Sequence, residues 1–314
     1  MDAEPTGQIV SWDHATYNAD REYARSTHLK HFVSAQGPRA YYWEVLNPPA
    51  RPTLTLSQEK VGVMQLGNIV HEYLLEGKQN WKVLKSKRNS NASKDLADEF
   101  PGHWLISEAQ EVDILGMREG ALRNPKVRRL VENSLSEREQ TILFDFRGVP
   151  AKVRLDMLVL GNELEGIYDI KTTLATSRDK FNYQIRQLKY DFSAAMYLYG
   201  VQQVKQFARW IPTFNHIAIS KKRPYYTYVW PLDMETFIKV GLQELGKAFE
   251  VLRVCNEACA AAGLDPASAA AMELWPDRTE QFQDNPNKAP PWYAVSANEF
   301  DPDSPMSERE EGSY

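Results

Sequence analysis

Two short apolar segments carry three charged side chains whose spacing could support chemistry. Asp156 lies in the run LDMLVL, Asp169 and Lys171 lie in the run IYDIK, and Gly161-Asn162 lies between the two runs. Apolar runs on either side of a Gly-Asn pair predict a β-hairpin. Because burying an unpaired charge costs free energy, a purely structural hairpin has no use for these three residues. The pattern favours a metal site.

The turn of this hairpin decides which side chains meet. Gly161 at the first central position favours a two-residue type II′ turn, in which Leu160 pairs with Glu163. Side chains alternate along a strand, so this register places four charged residues on one face: Arg154, Asp156, Asp169 and Lys171. The two aspartates are then diagonal neighbours, about 7 to 8 Å apart at Cα. A three-residue turn would place them on opposite faces.

Two carboxylates and a lysine on one face indicate hydrolysis of a phosphodiester. Mg²⁺ binds carboxylate oxygens and water, and it can both activate water and stabilise charge on a phosphate. Lys171 could orient or deprotonate that water. An isolated Asp-x-Lys is more often a surface ion pair, but here the residues lie in apolar strands with Asp156 on the same face.

The surrounding elements predict an α/β fold with a central mixed sheet flanked by helices. The stretch MQLGNIVHEYLLEG reads as a buried helix that carries His71, and Ser107 with Gln110 predicts a capping box for a helix to about residue 122. Three strand-like runs follow: QTILFDF, VPAKVRLDMLVL and ELEGIYDIK. Then come a helical stretch at 177–203, a second hairpin in FNHIAIS and YYTYVW, and a final helix at 233–262.

Composition predicts one domain with two extensions. We expect an N-terminal arm at residues 1–20, a single domain at 21–295 and a disordered acidic tail at 296–314. The net charge of −5 lies in that tail, and two basic clusters, 78–94 and 118–129, could track phosphates. No apolar run is long enough to span a membrane, and the N-terminus lacks a signal-peptide pattern, so we expect a cytoplasmic protein.

Five motifs resemble those of PD-(D/E)XK nucleases, in particular the RecE (exonuclease VIII) group of recombination exonucleases. The resemblance covers roughly residues 25–295, in the family's motif order. The matching segments are Gly67-Asn-Ile-Val-His71, Glu139-Gln-Thr-Ile, Arg154-Leu-Asp156, Asp169-Ile-Lys171-Thr-Thr and the helix Lys189-Tyr190 to Met196-Tyr197. Pro290-Pro-Trp292 parallels the family's closing motif. Ser193 replaces the family glutamine in the helix, which puts one contact there in doubt.

The resemblance implies a restriction-endonuclease-like core and a role for each matched residue. His71, Asp156, Asp169 and the Ile170 carbonyl would hold the metal, with Glu139 beside it, and Lys171 would activate water. Five further residues would contact nucleic acid: Arg154, Thr172, Gln187, Tyr190 and Tyr197. For both tyrosines, core packing is at least as plausible from their spacing.

The same resemblance implies a Mg²⁺-dependent exonuclease, with Mn²⁺ as a substitute, that digests duplex DNA from the 5′ end. It further implies a homo-oligomer and a RecT-type single-strand annealing partner. The chain lacks a phosphate-binding G-x-x-x-x-G-K-[ST] loop, so ATP use is not expected. Its two cysteines, Cys255 and Cys259, exclude a four-cysteine iron–sulfur cluster within this sequence.

Two alternatives stay open at the level of sequence. One is a RecB- or Cas4-like nuclease that acts on single strands. The other is a non-catalytic DNA-binding protein on a nuclease fold, although the joint presence of His71, Glu139, Asp156, Asp169 and Lys171 argues against decay.

Overall fold

The fold was analysed in a computed structural model. It describes residues 6–34, 37–50, 54–85, 90–133, 136–161, 163–175 and 177–276. The acidic tail predicted at 296–314, the motif Pro290-Pro-Trp292 and part of the first basic cluster lie outside the described residues.

The chain forms ten α-helices and eight β-strands over the described residues. They are β1 (Gln8–Val10), α1 (His14–Ala19), α2 (Ser26–Leu29), α3 (Pro38–Tyr41), α4 (Val63–Leu75), β2 (Trp81–Leu84), α5 (Asn91–Glu99), β3 (Trp104–Ser107), α6 (Glu108–Arg123), α7 (Pro125–Glu132), β4 (Ser136–Phe146), β5 (Val149–Val159), β6 (Gly166–Thr173), α8 (Arg178–Gln187), α9 (Tyr190–Gln202), β7 (Phe214–Ser220), β8 (Thr227–Pro231) and α10 (Lys239–Ala261). Short 3₁₀ or π helices join several of them. The predicted capping box at Ser107 and Gln110 is present.

The central sheet is mixed, as predicted. Its strand order is β1-β4-β5-β6-β7-β8. Strands β6 and β7 run parallel, with Asp169 opposite His216, and the other neighbours are antiparallel. Strands β2 and β3 form a separate parallel pair. In the described part of the chain, no helix has the length and apolar character needed to cross a bilayer.

Helices cover both sides of the sheet and enclose two hydrophobic cores. Helices α9 and α10 pack over Phe144, Phe146 and Val153 in the first core. Helices α4, α6 and α7 enclose the second core with Met157 and Tyr168. Both cores approach β5, which therefore lies at the centre of the molecule.

The side-chain alternation of β5 is interrupted at Asp156. Leu155 belongs to the first core whereas Met157 belongs to the second, on the opposite side. The partner strand is irregular at the same level, because Glu139 has a left-handed backbone with φ of 54°. A non-glycine residue in this region is strained, and such strain is common at functional sites.

The loop between β5 and β6 is longer than the predicted two-residue turn. Met157 pairs with Tyr168 and Val159 with Gly166, so the strands are joined by residues 160–165. The predicted pairing of Leu160 with Glu163 is therefore wrong. Leu164 is buried, and its carbonyl accepts a hydrogen bond of 2.8 Å from the Tyr168 hydroxyl, which anchors the longer loop.

Residues 6–20 of the predicted N-terminal arm pack against the rest of the fold, and Gln8–Val10 join the sheet. Strand β1 pairs with β4, with Ile9 opposite Ile142. Asp20 receives a 2.6 Å ion pair from Lys152, whose side chain is fully buried. Composition did not reveal this packing, because the strand is only three residues long.

The helical stretch predicted at 177–203 is two helices, α8 and α9. The backbone of Lys189 is left-handed, with φ of 54°, and a helix cannot continue through such a residue. The break turns α9 so that Gly200 packs against Phe144 and Val153.

Candidate active site

A cleft of about 890 Å³ collects every site residue that the sequence predicts. Its lining includes His71 from α4, Glu139 and Asp156 from β4 and β5, and Asp169 and Lys171 from β6. Also in the lining are Arg154, Ile170, Thr172, Gln187, Tyr190 and Tyr197. Neither basic cluster contributes a lining residue in the described part of the chain.

Three side chains converge in the cleft. His71 Nε2 lies 2.8 Å from Asp156 Oδ2, and His71 Nδ1 lies 3.3 Å from Glu139 Oε1. One ligand atom from each of the three residues lies within 4.8 Å of the others. All three are partly buried. We call His71, Glu139 and Asp156 the acidic cluster.

The main chain sets the positions of the acidic cluster. Helix α4 lies close to β6 at Gly67. A Cβ atom at this position would lie 3.2 Å from Thr172 Oγ1. The buried residues Val70 and Leu74 anchor the helix and leave His71 turned to the cleft. The amide of Ile170 donates a 2.6 Å hydrogen bond to Asp156 Oδ2, which fixes that carboxylate against β6.

Asp169 and Lys171 form a second group beside the acidic cluster. Lys171 Nζ lies 2.7 Å from Asp169 Oδ1 and 2.6 Å from Oδ2. His216 Nδ1 lies 2.8 Å from Asp169 Oδ2. Since an ionised carboxylate only accepts, the N–H at Nδ1 of His216 donates this hydrogen bond to Asp169.

Electrostatics distinguish the two groups. Burial lowers the pKa of His71, but Asp156 and Glu139 outweigh it and raise this pKa to about 9. Burial and repulsion from Asp156 raise the pKa of Glu139, although His71 and Arg154 oppose the rise. Burial likewise opposes ionisation of Asp169, yet Lys171 and His216 hold its pKa below the usual value. Without a metal, the His71 proton therefore offsets the clustered negative charge.

Lys171 is held in its charged form by its neighbours. Burial lowers its pKa, and Asp169 and Asp156 together raise it above the ordinary lysine value. A lysine acts as a base only when it is neutral. A metal ion bound among the carboxylates would lower the pKa of Lys171, because a nearby positive charge disfavours the protonated amine.

Arg154 lines the cleft, but its guanidinium makes hydrogen bonds to other groups of the protein. Its Nε donates to Glu139 Oε2 at 2.6 Å, and its Nη1 donates to the Trp12 carbonyl at 2.7 Å. The observed contacts orient Glu139, whereas the sequence predicted a nucleic-acid contact. Trp12 belongs to the N-terminal segment, so that segment supports the site.

Helix α9, which carries Tyr190 and Tyr197 of the matched motif, lies beside the cleft. The Tyr190 ring lies 5.2 Å from Lys171 Nζ, and Ser193 also lines the cleft. Tyr197 packs with its ring centroid 6.1 Å from that of Phe214. Gln184, one turn before Gln187, accepts a hydrogen bond of 2.5 Å from the Thr173 hydroxyl.

Sequence reasoning missed His216 and Lys30. His216 interrupts the apolar strand FNHIAIS, and that interruption was the available signal. Lys30 lines the cleft and donates to the Leu188 carbonyl at 3.0 Å. Burial, followed by repulsion from Lys171, lowers the pKa of Lys30 to about 8. Nothing in its local sequence marks Lys30.

The donor set of the acidic cluster suits a divalent cation. Two carboxylates converge on one imidazole, and hard oxygen donors with a single imidazole fit Mg²⁺ or Mn²⁺ better than a thiophilic metal. The unusually high pKa of His71 shows that the site attracts positive charge. Asp169 is not one of these three residues. Its carboxylate oxygens contact Lys171 and His216, and each oxygen keeps a further lone pair that is available to an ion.

The mixed sheet, with its charged pairs on β5 and β6 and a histidine helix beside them, defines a PD-(D/E)XK-type fold. The sequence matches the PDDEXK-like domain of unknown function, DUF3799, over residues 31–264. The chain therefore belongs to this family. A search of curated proteins found no match.

One solved structure supports the same fold. A protein from Eubacterium rectale, provisionally named an exonuclease and solved at 2.19 Å, superposes with a TM-score of 0.55 and 17% identity. The match covers 79% of this chain and 88% of that chain. The structure of SSO0001 gives a TM-score of 0.24 at 16% identity, over 66% and 98% of the two chains, and supports no inference.

Proposed function

We propose that this protein is a divalent-metal-dependent deoxyribonuclease that hydrolyses phosphodiester bonds. The observation that carries the proposal is the acidic cluster, whose ligand atoms lie within 4.8 Å of one another, next to the Lys171 and Asp169 pair. The fold is that of a nuclease superfamily, and the site adds the residue types that its chemistry requires.

In this proposal His71, Asp156 and Glu139 hold the ion, with Asp169 and the Ile170 carbonyl as further ligands. The ion, Mg²⁺ or Mn²⁺, would acidify water and stabilise charge on the phosphate. Lys171 positions the attacking water, and its neutral form, which a bound cation favours, accepts the proton of that water. Arg154 keeps Glu139 in place, and His216 keeps Asp169 ionised. No ATP and no iron–sulfur cluster take part.

The order of motifs supports a finer proposal, a RecE-like exonuclease that digests duplex DNA from the 5′ end. It extends to a role in recombination or repair, of phage type, with a RecT-type annealing partner, assembly as a homo-oligomer and a cytoplasmic location. The domain would extend over residues 21–295, to which the packing of residues 6–20 now adds the N-terminal strand.

One observation favours a second candidate, a nuclease that acts on single strands. Four apolar or aromatic side chains on the described cleft wall are more than half exposed: Val63, Met64, Leu174 and Tyr183. Exposed aromatic and apolar surface contacts unpaired bases, whose faces are inaccessible in a duplex.

The test is digestion of linear duplex and single-stranded DNA that carries a label at the 5′ or the 3′ end. The proposal predicts release of label by the wild type with Mg²⁺ or Mn²⁺, no release with EDTA, and no release by Lys171→Ala. Preferential release of 5′ label from duplex supports the RecE-like form, and preference for single strands supports the second candidate. A folded wild-type protein that binds DNA but leaves every substrate intact in both metals would contradict the proposal.

A further inference from the structure

A second cavity, of about 450 Å³, lies at the outer edge of the central sheet. We call it the edge pocket. Strand β8 contributes Tyr226 beside its first residue, and Tyr228 and Trp230 from within it, while Arg178 and Phe181 come from α8. Its described lining contains one charged side chain, that of Arg178, and no acidic one.

The edge pocket lies on the same sheet face as Asp169 and Lys171. Asp169 lies opposite His216, and His216 lies opposite Trp230. In the next such row, Lys171 lies opposite Ala218, which lies opposite Tyr228. Neighbouring strands lie about 4.8 Å apart, so the aromatic residues of β8 are about 10 Å from the catalytic strand.

The aromatic side chains of the edge pocket are available to a ligand. Tyr226 is 62% exposed and Tyr228 is 54% exposed, and their ring centroids are 6.4 Å apart. The guanidinium of Arg178 lies 5.2 Å from the Trp230 ring centroid. Two open rings beside a cation form a surface that suits stacked bases with a nearby phosphate.

The edge pocket adjoins the cleft. Thr173 and Ala175, which lie between the catalytic residues of β6 and the start of α8, line both cavities. A ligand that extends from the cleft past these two residues would reach the edge pocket.

We propose that the edge pocket binds unpaired nucleotides of the same DNA strand that occupies the cleft. Bases stack on Tyr226 and Tyr228, and Arg178 contacts a phosphate. The inference rests on the proposed function and adds a binding site outside the catalytic residues. An extended peptide could also pair with the open edge of β8, but the cation, the lack of acids in the described lining and the two lining residues shared with the cleft favour nucleic acid.

The first test measures binding of single-stranded DNA in EDTA, where cleavage does not intervene. The double variant Tyr226→Ala, Tyr228→Ala is compared with Trp43→Ala, which removes a 45% exposed aromatic ring that lines neither cavity. Oligonucleotides of about 4 and about 12 nucleotides span the usual site sizes. We expect the double variant to bind the longer strand roughly tenfold or more weakly, because a stacked base accounts for at least about fivefold in affinity.

Two further readouts distinguish stacking from a general structural effect. The conservative pair Tyr226→Phe, Tyr228→Phe keeps the rings and should retain wild-type affinity. Arg178→Gln should reduce the slope of log affinity against log salt by about 0.7, the value for one phosphate contact on a single strand. Photocrosslinking from 5-iododeoxyuridine should label Tyr226 or Tyr228 in the wild type.

The outcomes separate this inference from the proposed function. If the wild type cleaves DNA in Mg²⁺ but the double variant binds the longer strand as tightly as Trp43→Ala does, the edge pocket is not a DNA site and a peptide partner becomes the better reading. If the wild type binds but never cleaves, the nuclease proposal fails, and the same affinity comparison still decides whether the pocket binds nucleotides.

Discussion

Two lysines on adjacent central strands, Lys152 on β5 and Lys171 on β6, have opposite surroundings. Lys152 is 0% exposed and donates to the Tyr17 carbonyl at 2.6 Å, the Asp20 carbonyl at 3.1 Å and Asp20 Oδ2 at 2.6 Å. Its three protons match three acceptors. Its side chain is sealed beneath the N-terminal segment, so it can hold structure but cannot reach a substrate.

Lys171 is 24% exposed and faces the cleft. Its ammonium contacts the Asp169 carboxylate, which His216 also contacts from the neighbouring strand. The difference between the two lysines teaches that charge in a central strand does not by itself mark chemistry. Access to a cleft and a partner shared with other polar groups do.

The largest effect is expected from Lys171→Ala. Loss of a group that positions and deprotonates water typically costs about 10² to 10⁴ in rate. Asp169 is buried and loses the cation beside it, so the variant should also melt at a lower temperature, although His216 still contacts this carboxylate. Cleavage rates at saturating Mg²⁺, together with thermal melts, check this. A variant that retains cleavage within about threefold would remove Lys171 from the mechanism.

Lys152→Met should change stability and leave chemistry intact. Removing one partner of a buried ion pair costs about 3 to 5 kcal/mol in the free energy of unfolding, and Asp20 would be left without its cation. Urea unfolding measures the loss, and cleavage per folded molecule should equal that of the wild type. Adding Asp20→Asn should recover part of the stability. A Lys152→Met variant that is as stable as the wild type but inactive would show that Lys152 serves catalysis and not stability.

His216→Ala should reduce metal affinity or cleavage by roughly 10- to 100-fold, the usual cost of losing a group that orients a ligand. The residue acts through Asp169, so a higher Mg²⁺ concentration should recover part of the activity. His103→Ala, at a histidine outside the cleft lining, serves as the matched control. Equal Mg²⁺ dependence in the two variants would show that Asp169 needs no support from β7.

The smallest effect is a pH dependence of the metal-free protein. The pKa of His71 rises from 6.5 to about 9 on folding, so its stabilisation is complete below pH 6.5 and is lost as pH rises through 9. Lys30 changes stability in the opposite direction. Folding lowers its pKa from 10.5 to about 8, so its contribution to the free energy of unfolding increases as pH rises above 8. The difference in thermal midpoint between wild type and His71→Gln isolates the histidine, and it should shrink by a few degrees between pH 6.5 and 9. A difference that stays constant would show that Asp156 and Glu139 do not raise the pKa of His71.

The sequence predicted many of the helices and strands, because apolar periodicity and capping residues within each segment determine them. The three strands β4, β5 and β6, the helix around His71 and the capping box at Ser107 all follow from apolar periodicity and capping chemistry. The β5–β6 turn was wrong because Leu164 is buried by tertiary contacts, which a turn rule based on Gly161 does not include.

The site was only partly readable for a similar reason. The predicted residues share one cleft, yet the interruption at Glu139 and Asp156 breaks the strict alternation on which the argument from spacing relied. The contacts of His216 with Asp169 and of Arg154 with Trp12 join segments distant in sequence. The histidine in the apolar run FNHIAIS marks His216 as unusual, but only the folded chain shows that its partner is Asp169.

The most direct test of the central claim is titration of Mn²⁺ into metal-free protein, with bound ion measured by electron paramagnetic resonance. Wild type and Lys152→Met are predicted to bind the ion with equal affinity, whereas Asp156→Asn, which removes a carboxylate of the acidic cluster, is predicted to lose the site. Unchanged Mn²⁺ binding by Asp156→Asn, with its fold intact, would contradict the assignment of His71, Glu139 and Asp156 as the metal centre.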